Sequence, residues 1–162
     1  MSGRVASTTP REKPDGGKVP LEATQSRAWM ALFAAWVIAL ASTLGALFVG
    51  EVMGQTPCNL CWHQRVFMFP LAVVLAIATF RGDMGVWRYA LPLAAIGGLI
   101  AGFHGLIYLG LLPEAIEPCG QGPSCASADM TILGGLPLPL LSFAAFALIA
   151  VCLILSRRLH RS

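Results

Sequence analysis

Four long blocks of apolar residues follow a polar beginning. They run from about Ala28 to Val49, from about Cys61 to Phe80, from about Tyr89 to Leu112 and from about Leu136 to Leu155. Each block has about 20 residues, the length with which an α-helix crosses the hydrocarbon core of a bilayer. Because backbone in hydrocarbon must satisfy its own hydrogen bonds, each block is predicted to be helical. The pattern predicts an all-α integral membrane protein, a bundle of four transmembrane helices.

The third block is rich in small residues. It contains Gly97, Gly98, Ala101, Gly102 and Gly105. Small side chains let helix backbones approach closely in a membrane. A packed helix bundle is therefore expected.

The polar segments define the remaining organisation of the chain. Residues 1–27 show no apolar periodicity and no hydrophobic signal region, so we interpret them as a disordered cytoplasmic tail and not as a cleaved signal peptide. Residues 28–156 form the predicted membrane domain, and residues 157–162 form a basic C-terminus. We assign no chemistry to the tail.

Composition supports a membrane protein and argues against nucleic-acid binding. Apolar residues make up 56% of the chain and charged residues 12%, and the mean hydropathy is +0.71. A soluble domain carries about a quarter charged residues, so this chain lacks the polar surface that water requires. The net charge is only +3. Its basic residues form no dense patch, so no nucleic-acid partner is expected.

The distribution of Lys and Arg predicts the orientation. Basic residues lie in the N-terminal tail, between blocks two and three, and at the C-terminus: Arg4, Arg11, Lys13, Lys18, Arg27, Arg81, Arg88, Arg157, Arg158 and Arg161. With four spans these regions share one side, whereas Arg65 is the single basic residue on the other. By the positive-inside rule both termini are predicted to be cytoplasmic.

Two pairs of cysteines then fall on the extracytoplasmic side. Cys58 and Cys61 end the first outer loop, and Cys119 and Cys125 lie in the second. Cys152 lies within the fourth block, where it is expected to act as a small apolar residue. Close cysteine pairs indicate disulfides, metal ligands or a redox site. A membrane-bound redox enzyme is the favoured interpretation, and the alternative is a non-catalytic adaptor with structural disulfides or a zinc site.

The Cys58-Asn-Leu-Cys61 motif is suited to thiol exchange. The positive end of a helix that begins there favours a thiolate, and Arg65 lies one turn after Cys61. The second pair, Cys119 and Cys125, is separated by five residues rich in Gly and Pro, which indicates a mobile loop with an exchangeable disulfide. All four cysteines are candidate catalytic residues, and no metal is assigned.

Two polar residues of the outer half of the bundle are candidates for cofactor binding. Arg65 lies in the first turn of the second helix, and His104 lies inside the third. An ionisable residue within a membrane span is by default a functional hypothesis. Together the two side chains are expected to hold the carbonyl oxygens of a quinone ring and to help protonate it. We assign no role to the neighbouring His63 and Gln64.

The segment PCNLCWHQR, at the start of a second membrane helix, resembles the DsbB/BdbC family of disulfide bond formation proteins. The four spans, the second cysteine pair and LPLPLLSFAAF at the start of helix four extend the resemblance over about residues 28–156. The resemblance implies a thiol oxidoreductase of the bacterial cytoplasmic membrane. Such an enzyme reoxidises a thioredoxin-fold DsbA/BdbD-like oxidase and passes the electrons to a quinone, ubiquinone or menaquinone.

Roles carry over by position in the motif. Cys61 would contact the quinone beside Cys58, and Arg65 and His104 would match the quinone-site arginine and histidine. Cys119 would form the mixed disulfide with the partner, and Cys125 would pass electrons to Cys58. The short interval between Cys119 and Cys125 is similar to the BdbC-type branch. A vitamin K epoxide reductase-like protein is a further alternative, but that family usually places its Cys-x-x-Cys late in the chain.

Overall fold

A computed structural model describes residues 18–112, 131–132 and 136–161, and in that part of the chain four long helices dominate. The elements are α1 (Lys18–Leu47) with a π-helical turn (Phe48–Val52), α2 (Asn59–Arg81), a 3₁₀ turn (Met84–Val86), α3 (Trp87–Tyr108), strands β1 (Thr131–Ile132) and β2 (Leu136–Pro137), and α4 (Leu138–Arg161). The two short strands pair in antiparallel fashion between α3 and α4. Four helices are long and apolar enough to cross a membrane, which confirms the predicted fold class.

The helix boundaries differ from the predicted blocks mainly at the chain ends. α1 begins at Lys18, within the segment that the sequence analysis assigned to the tail, and α4 continues to Arg161. Apolar blocks mark only the part of a helix that hydrocarbon covers, whereas the helix continues through polar residues that favour it, such as Glu22 and Arg27. The predicted disorder of residues 1–17 lies outside the described residues.

The tight turn between α2 and α3 has two local causes. Gly82 ends α2 with φ 66°, the left-handed conformation that glycine adopts without a steric penalty, and its N–H bonds to the carbonyls of Ala78 and Thr79. Asp83 then accepts a hydrogen bond from the N–H of Gly85 at 2.8 Å. The chain therefore reverses within a few residues, which makes α2 and α3 antiparallel neighbours.

The four helices form a ring in chain order. α1 packs on α2 and α4, and α3 packs on the same two helices. The centre of the bundle is filled by large side chains that are almost fully buried, among them Leu32, Leu71, Leu75, Phe146 and Ile149. Many large apolar side chains are instead exposed on the outside, such as Phe80 and Leu99 at 75% each. An apolar exterior of this kind suits a lipid environment.

The small residues of α3 form the surface that packs against α4. A Cβ added at Gly97 would collide with the ring of Phe146, and one added at Gly102 would lie 3.3 Å from Phe143. At Gly105 the nearest atom would be a methyl carbon of Leu140, also at 3.3 Å. These glycines therefore let aromatic and leucine side chains of α4 reach the backbone of α3.

Candidate active site

The Cys58–Cys61 pair is built by the start of α2. Cys58 is the N-cap, with φ −68° and ψ 168°, and its sulfur accepts a hydrogen bond from the N–H of Cys61 at 3.3 Å. The two sulfur atoms are 2.7 Å apart with the pair in the dithiol form. The turn thus places both sulfurs where a short movement forms a disulfide bond of about 2.05 Å.

The two cysteines differ in their surroundings. Cys58 is completely buried, whereas Cys61 is half-buried and lines a pocket. The hydrogen bond with Cys61 and burial raise the pKa of Cys58 to about 12, although the hydrogen bond with His104 opposes this rise. Cys58 is therefore a protonated thiol at neutral pH in this state, so the thiolate expected at the helix start is not found at Cys58.

His104 of α3 reaches the cysteine pair from the neighbouring helix. Its side chain is 1% exposed, and its Nε2 lies 3.8 Å from the sulfur of Cys58. Its Nδ1 lies 2.9 Å from Nε2 of the buried Gln64 of α2. If the Gln64 amide donates to Nδ1, the ring proton is on Nε2 and faces the sulfur. The histidine therefore connects α2 and α3 through hydrogen bonds to Cys58 and Gln64.

Arg65 is held at the end of α1. Its Nη2 donates a hydrogen bond to the carbonyl oxygen of Ala46 at 2.8 Å, and its guanidinium lies 5.5 Å from the ring centre of Trp62. A Cβ added at Gly50 would lie 3.2 Å from the same nitrogen, so the absence of a side chain there leaves room for the guanidinium. Arg65 therefore joins α1 and α2 beside the cysteines.

A pocket of about 360 Å³ lies between α1, α2 and α4 and is reached by His104 from α3. Its polar lining consists of Cys61, Gln64, Arg65 and His104 together with Ser42, Gln55, Thr56 and Ser142. Most of the rest is apolar and includes Val49, Met68, Phe69, Leu138, Leu141 and Ala145. The volume lies in the range of small-molecule sites, and a few polar groups in an apolar wall are typical of such sites.

Four of the six predicted site residues therefore come together. Cys61, Arg65 and His104 line one pocket, and Cys58 lies directly behind Cys61. Cys119 and Cys125 lie outside the described residues, so the predicted second pair stays a prediction. The functional roles of all six residues also stay predictions at this point.

Two other residues complete the comparison with the sequence. Gln64 bonds to His104 and lines the pocket, although the sequence analysis assigned it no role. The feature of the sequence that indicates its place is its position three residues after Cys61, on the same face of the helix. Cys152 lies far along α4, half-buried against the core of the bundle. It takes no part in the pocket, which suits the small apolar role expected for it.

Comparison with known proteins gives consistent matches. Residues 25–156 match the family described as disulfide bond formation protein DsbB. A probable disulfide formation protein of Metapseudomonas resinovorans is 58% identical over 131 residues, which cover 80% of this chain and 91% of the relative. Disulfide bond formation protein C of Bacillus subtilis is 41% identical over 120 residues, 74% of this chain and 87% of the relative. No solved structure matches the chain significantly.

Proposed function

Because the chain belongs to the DsbB family of disulfide bond formation proteins, we propose that it is a membrane thiol:quinone oxidoreductase. The family supports a role in disulfide formation. The finer proposal is that the protein reoxidises a thioredoxin-fold partner of the DsbA/BdbD type and passes the electrons to ubiquinone or menaquinone. The observation that carries it is the Cys58–Cys61 pair beside a pocket lined by Arg65 and His104.

The pocket suits a quinone headgroup. A quinone is a flat apolar ring with two carbonyl oxygens, which need apolar walls and few hydrogen-bond donors. Met68, Phe69 and Leu141 supply apolar wall, and Arg65 supplies donors, because a guanidinium has five N–H groups and Ala46 accepts from one of its nitrogens. His104 also lines the pocket, and its Nε2 lies 3.8 Å from the sulfur of Cys58.

The residues of this chain would perform the thiol part of the reaction. A quinone bound there would supply the oxidant that accepts two electrons. Cys58 and Cys61 lose two protons and two electrons as their disulfide forms, and the same two electrons and two protons convert quinone to quinol. His104 Nε2, 3.8 Å from Cys58, is placed to exchange a proton with that sulfur. Arg65 stabilises negative charge in the pocket.

The burial of Cys58 supports a relay between two cysteine pairs. A soluble partner cannot reach a sulfur that is completely buried. The proposed route therefore runs from the partner dithiol to the Cys119–Cys125 disulfide, and from that pair to Cys58 and Cys61. Each exchange breaks one disulfide and forms one, so two electrons and two protons pass inward at each step.

The proposed location is the bacterial cytoplasmic membrane, with the cysteines on the extracytoplasmic side. The four membrane-length helices support a multi-pass protein, and the uneven distribution of Lys and Arg supports the sidedness. A membrane-impermeant thiol reagent added to intact cells should label Cys119 and Cys125 after reduction. Labelling that requires broken cells would place both pairs on the cytoplasmic side.

A quinone reduction assay tests the activity. Purified full-length protein in detergent is mixed anaerobically with a soluble quinone and a reduced thioredoxin-like partner, and quinone absorbance is followed. We expect reduction that is abolished by Cys61→Ser and retained by Cys152→Ala, the matched control. Normal turnover in Cys61→Ser would reject the proposal. No turnover in the wild type with an active partner would favour a non-catalytic adaptor with structural cysteines.

A further inference from the structure

Three potential metal ligands converge at the cysteine pair. Among the residues that the structure describes, Cys58, Cys61 and His104 are a group whose ligand atoms all lie within 4.8 Å of one another. Two of the three are buried, and the third lines the pocket. This group combines one cysteine pair with a histidine from another helix.

The distances are close to those of a tetrahedral site. With zinc–sulfur bonds of about 2.3 Å and zinc–nitrogen bonds of about 2.0 Å, the sulfur–nitrogen edge is about 3.5 Å and the sulfur–sulfur edge about 3.8 Å. The distance from Cys58 Sγ to His104 Nε2 is 3.8 Å, and the two sulfurs are 2.7 Å apart. Binding therefore requires the sulfurs to separate by about 1 Å, a movement that the half-buried Cys61 can make toward the pocket.

Gln64 supplies the outer support that a metal-binding histidine needs. A histidine that binds metal through Nε2 carries its proton on Nδ1 and usually donates it to a nearby oxygen. The Gln64 amide lies 2.9 Å from Nδ1, and a half-turn of the amide replaces its N–H₂ with its oxygen. The same side chain can therefore support either tautomer of His104, including the one that leaves Nε2 available as a ligand.

The chemistry of the pocket selects the class of cation. Its lining contains no carboxylate, and Arg65 is its one charged side chain among the described residues. Mg²⁺ and Ca²⁺ require oxygen ligands, whereas two sulfurs and an imidazole suit zinc and similar thiophilic cations. Two thiolates balance the charge of a divalent cation, and the N–H of Cys61 already donates to the sulfur of Cys58.

We propose that the reduced protein binds one thiophilic divalent cation of the zinc class through Cys58 Sγ, Cys61 Sγ and His104 Nε2. Two thiol S–H bonds break and two protons leave to solvent, two sulfur–metal bonds and one nitrogen–metal bond form with the neutral His104 ring protonated on Nδ1, and no electron is transferred. The oxidised protein does not bind the cation in this way, because its sulfurs are joined to each other. A water molecule completes the four-coordinate site.

The consequence for activity rests on the proposed function. A cation on both sulfurs occupies the electron pairs that thiol exchange requires. Zinc should therefore inhibit turnover when the pair is reduced, and a chelator should restore it. Zinc bound at this site would inhibit electron transfer reversibly. The inhibition would depend on the redox state of the cysteine pair, because only the reduced pair binds the cation.

The test is a metal titration of the full chain without quinone or partner. The background carries Cys119→Ser, Cys125→Ser and Cys152→Ala, so that Cys58 and Cys61 are the remaining cysteines of the original five. After anaerobic reduction and removal of reductant, Zn²⁺ is titrated against a chromophoric chelator, and Co²⁺ is added separately to detect sulfur-to-cobalt charge transfer. We expect one cation per chain in the reduced protein and none in the oxidised protein.

The variants separate a three-ligand site from a simple dithiol. His104→Ala removes one of the three protein ligands and should weaken binding at least about tenfold. Gln64→Leu should also weaken binding about tenfold, because outer-shell partners typically contribute that much. His63→Ala is the matched control, since His63 is exposed and bonds to the carbonyl of Asn59. If His104→Ala fails to fold, Gln64→Leu provides the test on its own.

Each outcome has a defined meaning. Absence of binding in the reduced background overturns the proposal, and so does unchanged affinity in folded His104→Ala or, if that variant is lost, in Gln64→Leu. Because the titration needs no turnover, it is independent of the proposed function. A protein that binds zinc but reduces no quinone would reject only the oxidoreductase proposal. One that reduces quinone but binds no cation would reject only the metal site.

Discussion

The two ends of the bundle use buried polar groups differently. At the end near the α2–α3 turn, side chains bond to backbone and tie helices together: Ser156 donates to the carbonyl of Ala28 at 2.9 Å, and Trp29 donates to that of Thr79 at 3.1 Å. At the cysteine end, defined by Cys58, Cys61, Gln64 and His104, titratable and polar side chains contact one another beside a pocket.

The difference indicates where the protein performs chemistry. A backbone carbonyl does not titrate at physiological pH, so bonds such as that of Ser156 satisfy buried groups without making them reactive. A thiol, an imidazole and an amide can exchange protons or change partner, so the same burial at the cysteine end keeps reactive groups in a defined geometry. Substitutions at the two ends should therefore separate activity from stability.

The largest expected effect is at the cysteine end. Cys58→Ser should reduce quinone-dependent turnover to background, because a hydroxyl cannot form the disulfide through which two electrons pass. Thermal unfolding in detergent, followed by circular dichroism, should remain near the wild-type value. Turnover within a few-fold of wild type in this variant would show that the Cys58–Cys61 disulfide is not on the electron path.

The second effect concerns the acidity of Cys58. The hydrogen bond with Cys61 is the largest cause of the pKa of about 12, so Cys61→Ala should move the pKa of Cys58 down toward the ordinary 9.0. More thiolate is then present at any pH between these values. The rate of alkylation at Cys58 against pH, read by mass spectrometry in a chain without Cys119, Cys125 and Cys152, measures this shift.

His104→Ala is the control with the opposite sign. His104 lowers the pKa of Cys58, so its removal should leave the midpoint of alkylation at or above the wild-type value. A midpoint that stays unchanged in Cys61→Ala, or that falls in His104→Ala, would contradict the assigned causes.

A third prediction tests the packing that supports both ends. Gly97→Ala should destabilise the protein by about 1–3 kcal/mol, the usual cost of overpacking, because the new methyl group meets the ring of Phe146. Gly45→Ala is the matched control, since a Cβ there has no atom within 4 Å. Thermal unfolding in detergent compares the two, and equal stability would show that α3 and α4 can separate without cost.

The fourth prediction concerns Gln64. Gln64→Leu removes the amide that bonds to Nδ1 of the buried His104. Loss of a buried hydrogen-bond partner costs about 1–3 kcal/mol, so the imidazole is held less firmly in its position beside Cys58. Turnover should fall about tenfold, because 1.4 kcal/mol corresponds to that factor. His63→Ala should keep wild-type turnover, and an equal loss in both variants would attribute the effect to α2 as a whole.

The smallest effect is expected at the turn end. Ser156→Ala removes the bond to the carbonyl of Ala28 and should lower stability by about 1 kcal/mol with turnover unchanged. The melting temperature and the quinone assay are measured on the same preparation. A loss of turnover without a loss of stability would mean that the two ends are coupled and that the comparison between them is too simple.

The sequence by itself determined the four helices and the cysteine motif. Apolar blocks of bilayer length allow only a helical solution, because hydrocarbon offers no partner to an open backbone. The motif also places Cys58 and Cys61 three residues apart at a helix start, a spacing that keeps the two side chains near each other. Arg65 followed from the same helix, one turn later. These are local features, and the chain carries them within a few residues.

Only the tertiary structure determined which side chains contact the cysteine pair and its neighbours, namely His104 and Gln64. His104 is 46 positions from Cys58, and its contact with that sulfur depends on how α3 is rotated against α2, which the glycines and the side chains of α4 determine together. The role of Gln64 depends on the same rotation. Periodicity in a helix that is apolar on nearly all sides does not indicate which face meets a neighbour, so only packing could bring these side chains together.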